Sequence, residues 1–323
     1  MVGCGSIGRR HLGNLRALGV LDLLAVDPRP DRRAAAERET GAIAFPTLES
    51  ALDRNPFGVI VATPTGSHIP VALEAARRRC HLFVEKPLSH SLDQVDELMA
   101  LTRAQGLVTM VACNYRFDEG LLRVKRLVED RAIGTVLSVR AEFGFYLPLS
   151  HPYEDYRETY PAKRGSGGGL LLDRTHELDY LRWIFGEIMD GTCFYTKRSH
   201  LEIETEDVAE ILIFFESGVL GSVHLDYLQR EYRCTARVVG DQGVIEWVYA
   251  PAQLKELPPR STQGNVITVE STPDLNDMYL TQMRHFLDAV REQTPTGHDL
   301  ADGKRLIEII LRLKMAPTVG TLI

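Results

Sequence analysis

Basic tracts are missing from this 323-residue sequence: 37 lysines and arginines face 44 aspartates and glutamates, a net charge of −7, and the densest cationic run is Arg77, Arg78 and Arg79. A polyanion-binding surface needs clustered positive charge. Nucleic acid is therefore not expected as a partner, and the arginine triplet reads as the solvated end of a helix. Also missing is any stretch near the roughly 18 to 20 uninterrupted apolar residues of a membrane span, or a charged start leading into an apolar signal core. No membrane partner is expected, and the cytoplasm is the expected compartment. Cysteines are few, odd in number and scattered (Cys4, Cys80, Cys113, Cys193, Cys234), without Cys-x-x-Cys or Cys/His ligand spacing. Neither a disulfide framework nor a zinc site is indicated, and no metal is expected. What remains is an ordinary globular composition, 44% hydrophobic and 25% charged, long enough for two domains.

The first third alternates short β-branched runs with amphipathic stretches, the pattern of β-α-β units building a parallel sheet. Strands are expected at 22–27, 42–45, 58–62, 81–85 and 107–112, with helices near 7–18, 31–39, 67–79 and 91–105. Ser91 with Gln94 three residues on suggests a capping box. From about Asn114 the rhythm changes. A helix at 119–130 and a long strand at 135–145 precede a polar loop and a glycine cluster. Strand-like segments at 208–215, 218–227, 234–239 and 243–248 then follow as hairpin-like neighbours, which suggests an antiparallel sheet. Residues 251–264 read as an excursion between strands, and 275–292 and 302–314 as closing helices. The expected architecture is α/β: a doubly wound Rossmann domain at 1–116 and an α+β domain at 117–323 with a large, mainly antiparallel open sheet.

Gly3-Cys4-Gly5-Ser6-Ile7-Gly8 matches G-x-G-x-x-G at the start of a helical pattern, where backbone amides can face a pyrophosphate. Asp27 lies 19 residues beyond the last glycine, at the end of an expected strand, where a carboxylate meets the adenosine ribose hydroxyls. Such a carboxylate repels a 2′-phosphate, so NAD is favoured. Arg29, Arg32 and Arg33 keep NADP open. Cys4 reads as small filler. Only Met1 and Val2 precede Gly3, fewer than the roughly five residues of an average strand, so the native product is expected to begin further upstream.

Two further clusters carry chemistry. Glu85-Lys86-Pro87 follows the strand at 81–85, placing Lys86 at a carboxyl strand end, where ligands sit in doubly wound sheets. An ammonium there can stabilise a developing alkoxide. A surface lysine fits equally well. Further on, Gly167-Gly168-Gly169 leads through Asp173 and His176 to Tyr180. On one helix these three side chains share a face, so a carboxylate could orient an imidazole for proton transfer. The alternative is a helix start with Asp173 as cap and His176 in the core.

Taken in order, the glycine loop, Ala62-Thr63-Pro64 with His68, Glu85-Lys86-Pro87, Asn114-Tyr115-Arg116-Phe117, and the glycine triplet leading to Asp173 and His176 resemble the glucose-fructose oxidoreductase/inositol dehydrogenase/MocA (Gfo/Idh/MocA) family over nearly the whole chain. The resemblance implies nicotinamide-dependent hydride transfer at a sugar or cyclitol hydroxyl. Lys86 then polarises the reacting oxygen, His176 accepts or returns its proton, and Asp173 orients or binds. Gly3, Gly5, Ser6, Ile7, Gly8, Asp27, Thr63, Pro64, His68, Glu85 and Lys86 are expected on the cofactor, and a cis bond before Pro87. Many members place the histidine four residues after the aspartate. Here it is three, similar to a subgroup associated with bacterial cell-surface sugar genes.

Residues 151–164, with Tyr153, Tyr156, Arg157, Tyr160, Lys163 and Arg164, mix aromatic and cationic groups suited to an anionic or nucleotide-linked sugar. Lys86, Arg116, Tyr156, Arg157, Lys163, Asp173 and His176 are the expected substrate-side residues. His68 could equally be packed at a helix start, and Arg116 could be a structural ion pair. Relatives also include redox-neutral enzymes that keep NAD tightly bound, and a nicotinamide-sensing regulator could share the fold. The open sheet implies a homodimer or homotetramer.

Overall fold

The computed structural model describes residues 1–150, 154–250, 265–271 and 274–315. The expected excursion at 251–264 lies outside them. Two compact units emerge, one of Met1–Asn114, Gly165–Gly167 and Asn276–Glu308, the other of the remaining chain.

The first unit follows the βα rhythm of the sequence. In order come α1 (Ser6–Ala17), β1 (Leu24–Val26), α2 (Pro30–Thr40), β2 (Ile43–Phe45), α3 (Leu48–Leu52), β3 (Gly58–Val61), α4 (His68–Arg77), β4 (His81–Val84), α5 (Val95–Ala104) and β5 (Thr109–Val111). All strand pairings are parallel: β1 with β2, and β3 through β4 to β5. Val2 bridges to Val26 on one side and Val61 on the other, so residues 1–2 occupy the central strand position between the two groups. The apolar runs of β3 and β4 are buried almost throughout, as parallel strands covered on both faces require. Gly41, at φ 67°, ends α2 in the left-handed conformation. The expected capping box is absent. Ser91 Oγ instead accepts the Asp93 amide, α5 starts only at Val95 behind a left-handed Gln94, and the Gln94 amide turns to Glu97.

The second unit carries α6 (Glu119–Glu129), β6 (Val136–Gly144), α7 (Leu147–Ser150), α8 (Leu170–Asp173), α9 (Thr175–Phe185), β7 (Ile188–Thr196), β8 (Val208–Phe215), β9 (Leu220–Asp226), β10 (Arg233–Gly240), β11 (Gly243–Val248) and β12 (Asn265–Glu270). Its seven strands run β12-β11-β10-β6-β9-β8-β7. Most pairings are antiparallel, as expected, but β6 with β9 and β11 with β12 are parallel. Helices α6, α8 and α9 cover one face of this sheet. Trp247, Phe143, Tyr180 and Tyr227 are the largest side chains of that core. Asp118 caps α6, accepting the Leu121 amide at 2.8 Å, and also accepts from the Trp247 indole.

The last described elements are α10 (Asp277–Glu292) and α11 (Leu300–Met315). A single boundary at 116/117 does not describe this ending, because residues 276–308 rejoin the first unit. The physical reason is apolar: Phe286 of α10 packs edge-on against Phe83 of β4 at 5.4 Å, and Tyr279 meets His11 and Arg10 of α1. Among the described residues no helix is long and apolar enough to cross a membrane.

Candidate functional site

The glycine loop is a close-packed turn. Gly3 has φ 91°, and a Cβ there would lie 2.4 Å from the Ala62 carbonyl oxygen. At Gly8 a Cβ would lie 1.9 Å from the Gly3 oxygen. Only hydrogen fits at either position, which lets the start of α1 sit against the loop. Gly5 is the N-cap of α1 and offers no side-chain cap, so Ser6 and Ile7 begin a helix whose positive pole lies at the glycine loop. Asp27, buried just beyond β1, accepts the Cys4 amide on Oδ2 and the Arg29 amide on Oδ1, each at 2.9 Å. These bonds tie the acidic residue to the loop it was expected to serve. The Arg32 guanidinium stands 4.0 Å from Asp27 Oδ2. Arg29 pairs with Asp31, and Arg33 donates to the Asp27 and Pro28 carbonyls. Burial pushes the Cys4 thiol up to about 11, consistent with filler rather than a nucleophile. Thr63 follows β3 with a buried hydroxyl that has no partner. A helix start capped only by glycine, two loop positions with room for hydrogen alone and an unpartnered Thr63 hydroxyl fit a dinucleotide.

Lys86 sits just past β4, and the Lys86–Pro87 bond is cis, as expected. Glu85 is buried, with Oε1 2.6 Å from His11 Nε2 and Oε2 accepting the Lys86 amide at 3.1 Å. His68 opens α4 behind the short turn that Pro64 begins. Its Nδ1 lies 2.9 Å from the Pro87 carbonyl oxygen and its Nε2 2.9 Å from that of Thr63. Burial lowers the pKa of this imidazole. His68 thus joins the Thr63 loop to the lysine loop, the packed helix-start reading.

In the second unit the expected continuous helix is interrupted. Arg174, at φ −100° and ψ 48°, separates α8 from α9, so Asp173 and His176 do not share one helical face. The reason lies in Arg174, whose guanidinium turns into the core, 3.2 Å from the centre of the Phe143 ring and bonded to Glu177. Asp173 accepts hydrogen bonds from the Tyr160 and Tyr227 hydroxyls, the latter at 3.0 Å. His176 is buried and lies flat against Tyr115. Arg116 forms a bidentate pair with Asp179, at 3.0 and 2.7 Å, almost out of solvent. Gly168 is needed where a Cβ would meet the Tyr160 carbonyl oxygen at 1.9 Å.

The cationic loop is largely self-paired. Arg157 grips Asp155 and Glu202, and Lys163 reaches Glu158. The Arg157 pairing holds the Asp155 carboxyl at about 2. The Tyr156 hydroxyl accepts the Glu202 amide. His151 and Tyr153 lie outside the described residues. Sequence reasoning missed Tyr227 as a partner of Asp173 and His11 as a partner of Glu85. No local motif marks either residue.

Comparison with known proteins gives two family matches: an oxidoreductase family with an NAD-binding Rossmann fold over residues 1–113, and a GFO/IDH/MocA C-terminal domain over residues 121–246. The chain is 27% identical to the myo-inositol 2-dehydrogenase of Thermotoga maritima over 319 residues, 94% of this chain and 91% of that protein. It is 28% identical over 231 residues to the uncharacterized oxidoreductase YrbE of Bacillus subtilis, covering 69% of this chain but 65% of the relative. Among solved structures it is similar to GenD2 of gentamicin A biosynthesis in complex with NAD, with a TM-score of 0.81 and 25% identity over 97% of this chain and 92% of that one.

Proposed function

The chain belongs to the Gfo/Idh/MocA oxidoreductases, and from that membership we propose that it moves a hydride between NAD and a secondary hydroxyl or ketone of a sugar, sugar derivative or cyclitol. Bound NAD supplies the hydride acceptor. The glycine loop and the α1 start hold its pyrophosphate, Asp27 takes the adenosine ribose hydroxyls, and Thr63 contributes its unpartnered hydroxyl.

In the oxidation direction Lys86 donates a hydrogen bond to the substrate oxygen and stabilises its developing negative charge. His176 accepts the hydroxyl proton while the carbinol C–H bond breaks with its electron pair. Asp173, held by two phenols, orients the substrate. The observation that carries this reading is the coexistence in one unit of a close-packed dinucleotide loop and a lysine anchored past a parallel strand. The named inositol dehydrogenases among the relatives make cyclitols the first substrates to try.

The test is reduced-nicotinamide absorbance with NAD and a panel of inositols, amino sugars and nucleotide sugars. Turnover that disappears in Lys86→Met supports the reading. Tightly held NAD with no net reduction on any substrate overturns it in favour of redox-neutral chemistry or sensing.

The second unit's sheet also supports assembly into a homodimer or homotetramer. Leu212 and Phe214 of β8 and Leu220 of β9 share the face opposite the helices and are 51%, 49% and 55% exposed. A contiguous apolar sheet face of this kind is a usual mark of a protein contact.

A further inference from the structure

We infer that His11 and Glu85 are positioning residues that act through Lys86. The inference rests on the dehydrogenase reading above and extends it to His11 and to Glu85, which the sequence placed on the cofactor but whose carboxylate is turned to His11 and the Lys86 amide.

The Glu85 amide still donates to the Val61 carbonyl at 2.9 Å, so the backbone remains in sheet register while the side chain turns inward. Both carboxylate oxygens are committed, one to His11 and one to the lysine's own amide. His11 comes from α1, three residues after the last glycine of the loop, and is fully buried. Its ring stands edge-on to Phe83 at 5.2 Å and to Tyr279 at 6.1 Å.

The Lys86 amide can only donate, so Glu85 Oε2 accepts, and a carboxylate at Oε1 then takes a proton from His11 Nε2. His11 Nδ1, buried and without a partner, is left as a lone pair, which spares the fold a buried N–H with nothing to bond. The buried Glu85–His11 pair is thereby fastened to the backbone of the lysine. Burying a charge is costly unless it is paired and hydrogen-bonded.

On the far side of the lysine, the Pro87 carbonyl is fixed by His68. The residues before and after Lys86 are therefore each tied to a buried histidine. A lysine side chain has four rotatable carbons, so its origin must be rigid if the ammonium is to meet one oxygen. Displacement of a reacting group by about 1 Å can cost on the order of 100-fold in rate. The helix that opens at the dinucleotide loop thus also sets the origin of the catalytic lysine.

The test uses Glu85→Gln and His11→Asn in the full chain with NAD bound. Each is expected to lower kcat by about 10-fold or more with KM for NAD unchanged. An unchanged kcat in both variants overturns the inference. A second readout needs no turnover: acylation of Lys86 by acetic anhydride, measured by mass spectrometry against Lys125 as internal reference. The Lys86 to Lys125 ratio should rise at least two-fold in either variant, and an unchanged ratio overturns the inference. His11→Asn, which leaves Glu85 in place, serves if Glu85→Gln does not fold. If Lys86→Met keeps full turnover, the dehydrogenase reading fails, while the acylation ratio still decides whether His11 and Glu85 hold the lysine.

Discussion

Tyr115 stacks on the His176 imidazole with ring centres 4.6 Å apart and planes 18° from parallel. Tyr115 is itself walled by Trp247 and Tyr249, and burial lifts its phenol well above the usual tyrosine range, so the surface offered to the imidazole stays neutral. The stack fixes the plane of the imidazole, and with it the direction of the proton transfer proposed for His176. Tyr115→Leu should lose about 0.5–1.5 kcal/mol of ring contact but lower kcat by about 10-fold, as expected of a misdirected base. Thermal melting and steady-state kinetics separate the two effects.

Asp173 depends on two phenols. In Tyr227→Phe one of them loses its hydroxyl, and a hydrogen bond to a charged group is worth about 1.5–3 kcal/mol. Substrate KM should rise while the NAD dissociation constant, measured by fluorescence titration, stays the same, because Asp173 is assigned to the substrate. A change confined to NAD affinity would remove that assignment.

Gly8→Ala would place a methyl carbon 1.9 Å from the Gly3 carbonyl oxygen. Helix and loop must separate, at about 1–3 kcal/mol for overpacking. NAD binding by calorimetry should be lost or weakened by more than the melting temperature alone accounts for.

His224 on β9 is held between Asp226, at 2.8 Å, and Glu210, at 2.6 Å. The hydrogen bond to Asp226, against opposing burial, and the bond to Glu210 push the imidazole up from 6.5 to about 9. A folded value above the unfolded one means the stabilisation is complete below about 6.5 and disappears as pH rises through about 9. The melting-temperature gap between wild type and His224→Gln should be widest at mildly acidic pH and close above about 9. A pH-independent gap would rule out the charge as its source.

If the open sheet face joins subunits, Leu212→Glu together with Phe214→Arg should convert the assembly to monomers, read by light scattering. An unchanged mass would exclude this face as the contact.

The parallel half of the fold was legible because β3 and β4 are short apolar runs bounded by turn residues, and β8 because its burial alternates residue by residue. β7 was hidden by Asp190 and Gly191, which interrupt its alternation. The parallel pairing of β6 with β9 is a choice of neighbour, and strand composition does not carry that choice. In the site, the glycine loop and Asp27 were legible because their spacing is local. Glu85 meets His11 across 74 residues and Asp173 meets Tyr227 across 54, and no periodicity reports such pairs. The interruption at Arg174 was hidden because an arginine within a helical pattern ordinarily reads as surface charge, whereas this one enters the core against Phe143.

The return of Asn276–Glu308 to the first unit has a consequence for biogenesis. Synthesis runs from the amino terminus, so the face of β4 around Phe83 waits on the ribosome for Phe286, which emerges some 200 residues later. Most of the second unit, through Leu275, is translated before the first can close. The nucleotide-binding half, although first to be started, is completed only near the end of synthesis, and a nascent chain stalled before α10 presents an uncovered apolar surface to the folding machinery of the cell.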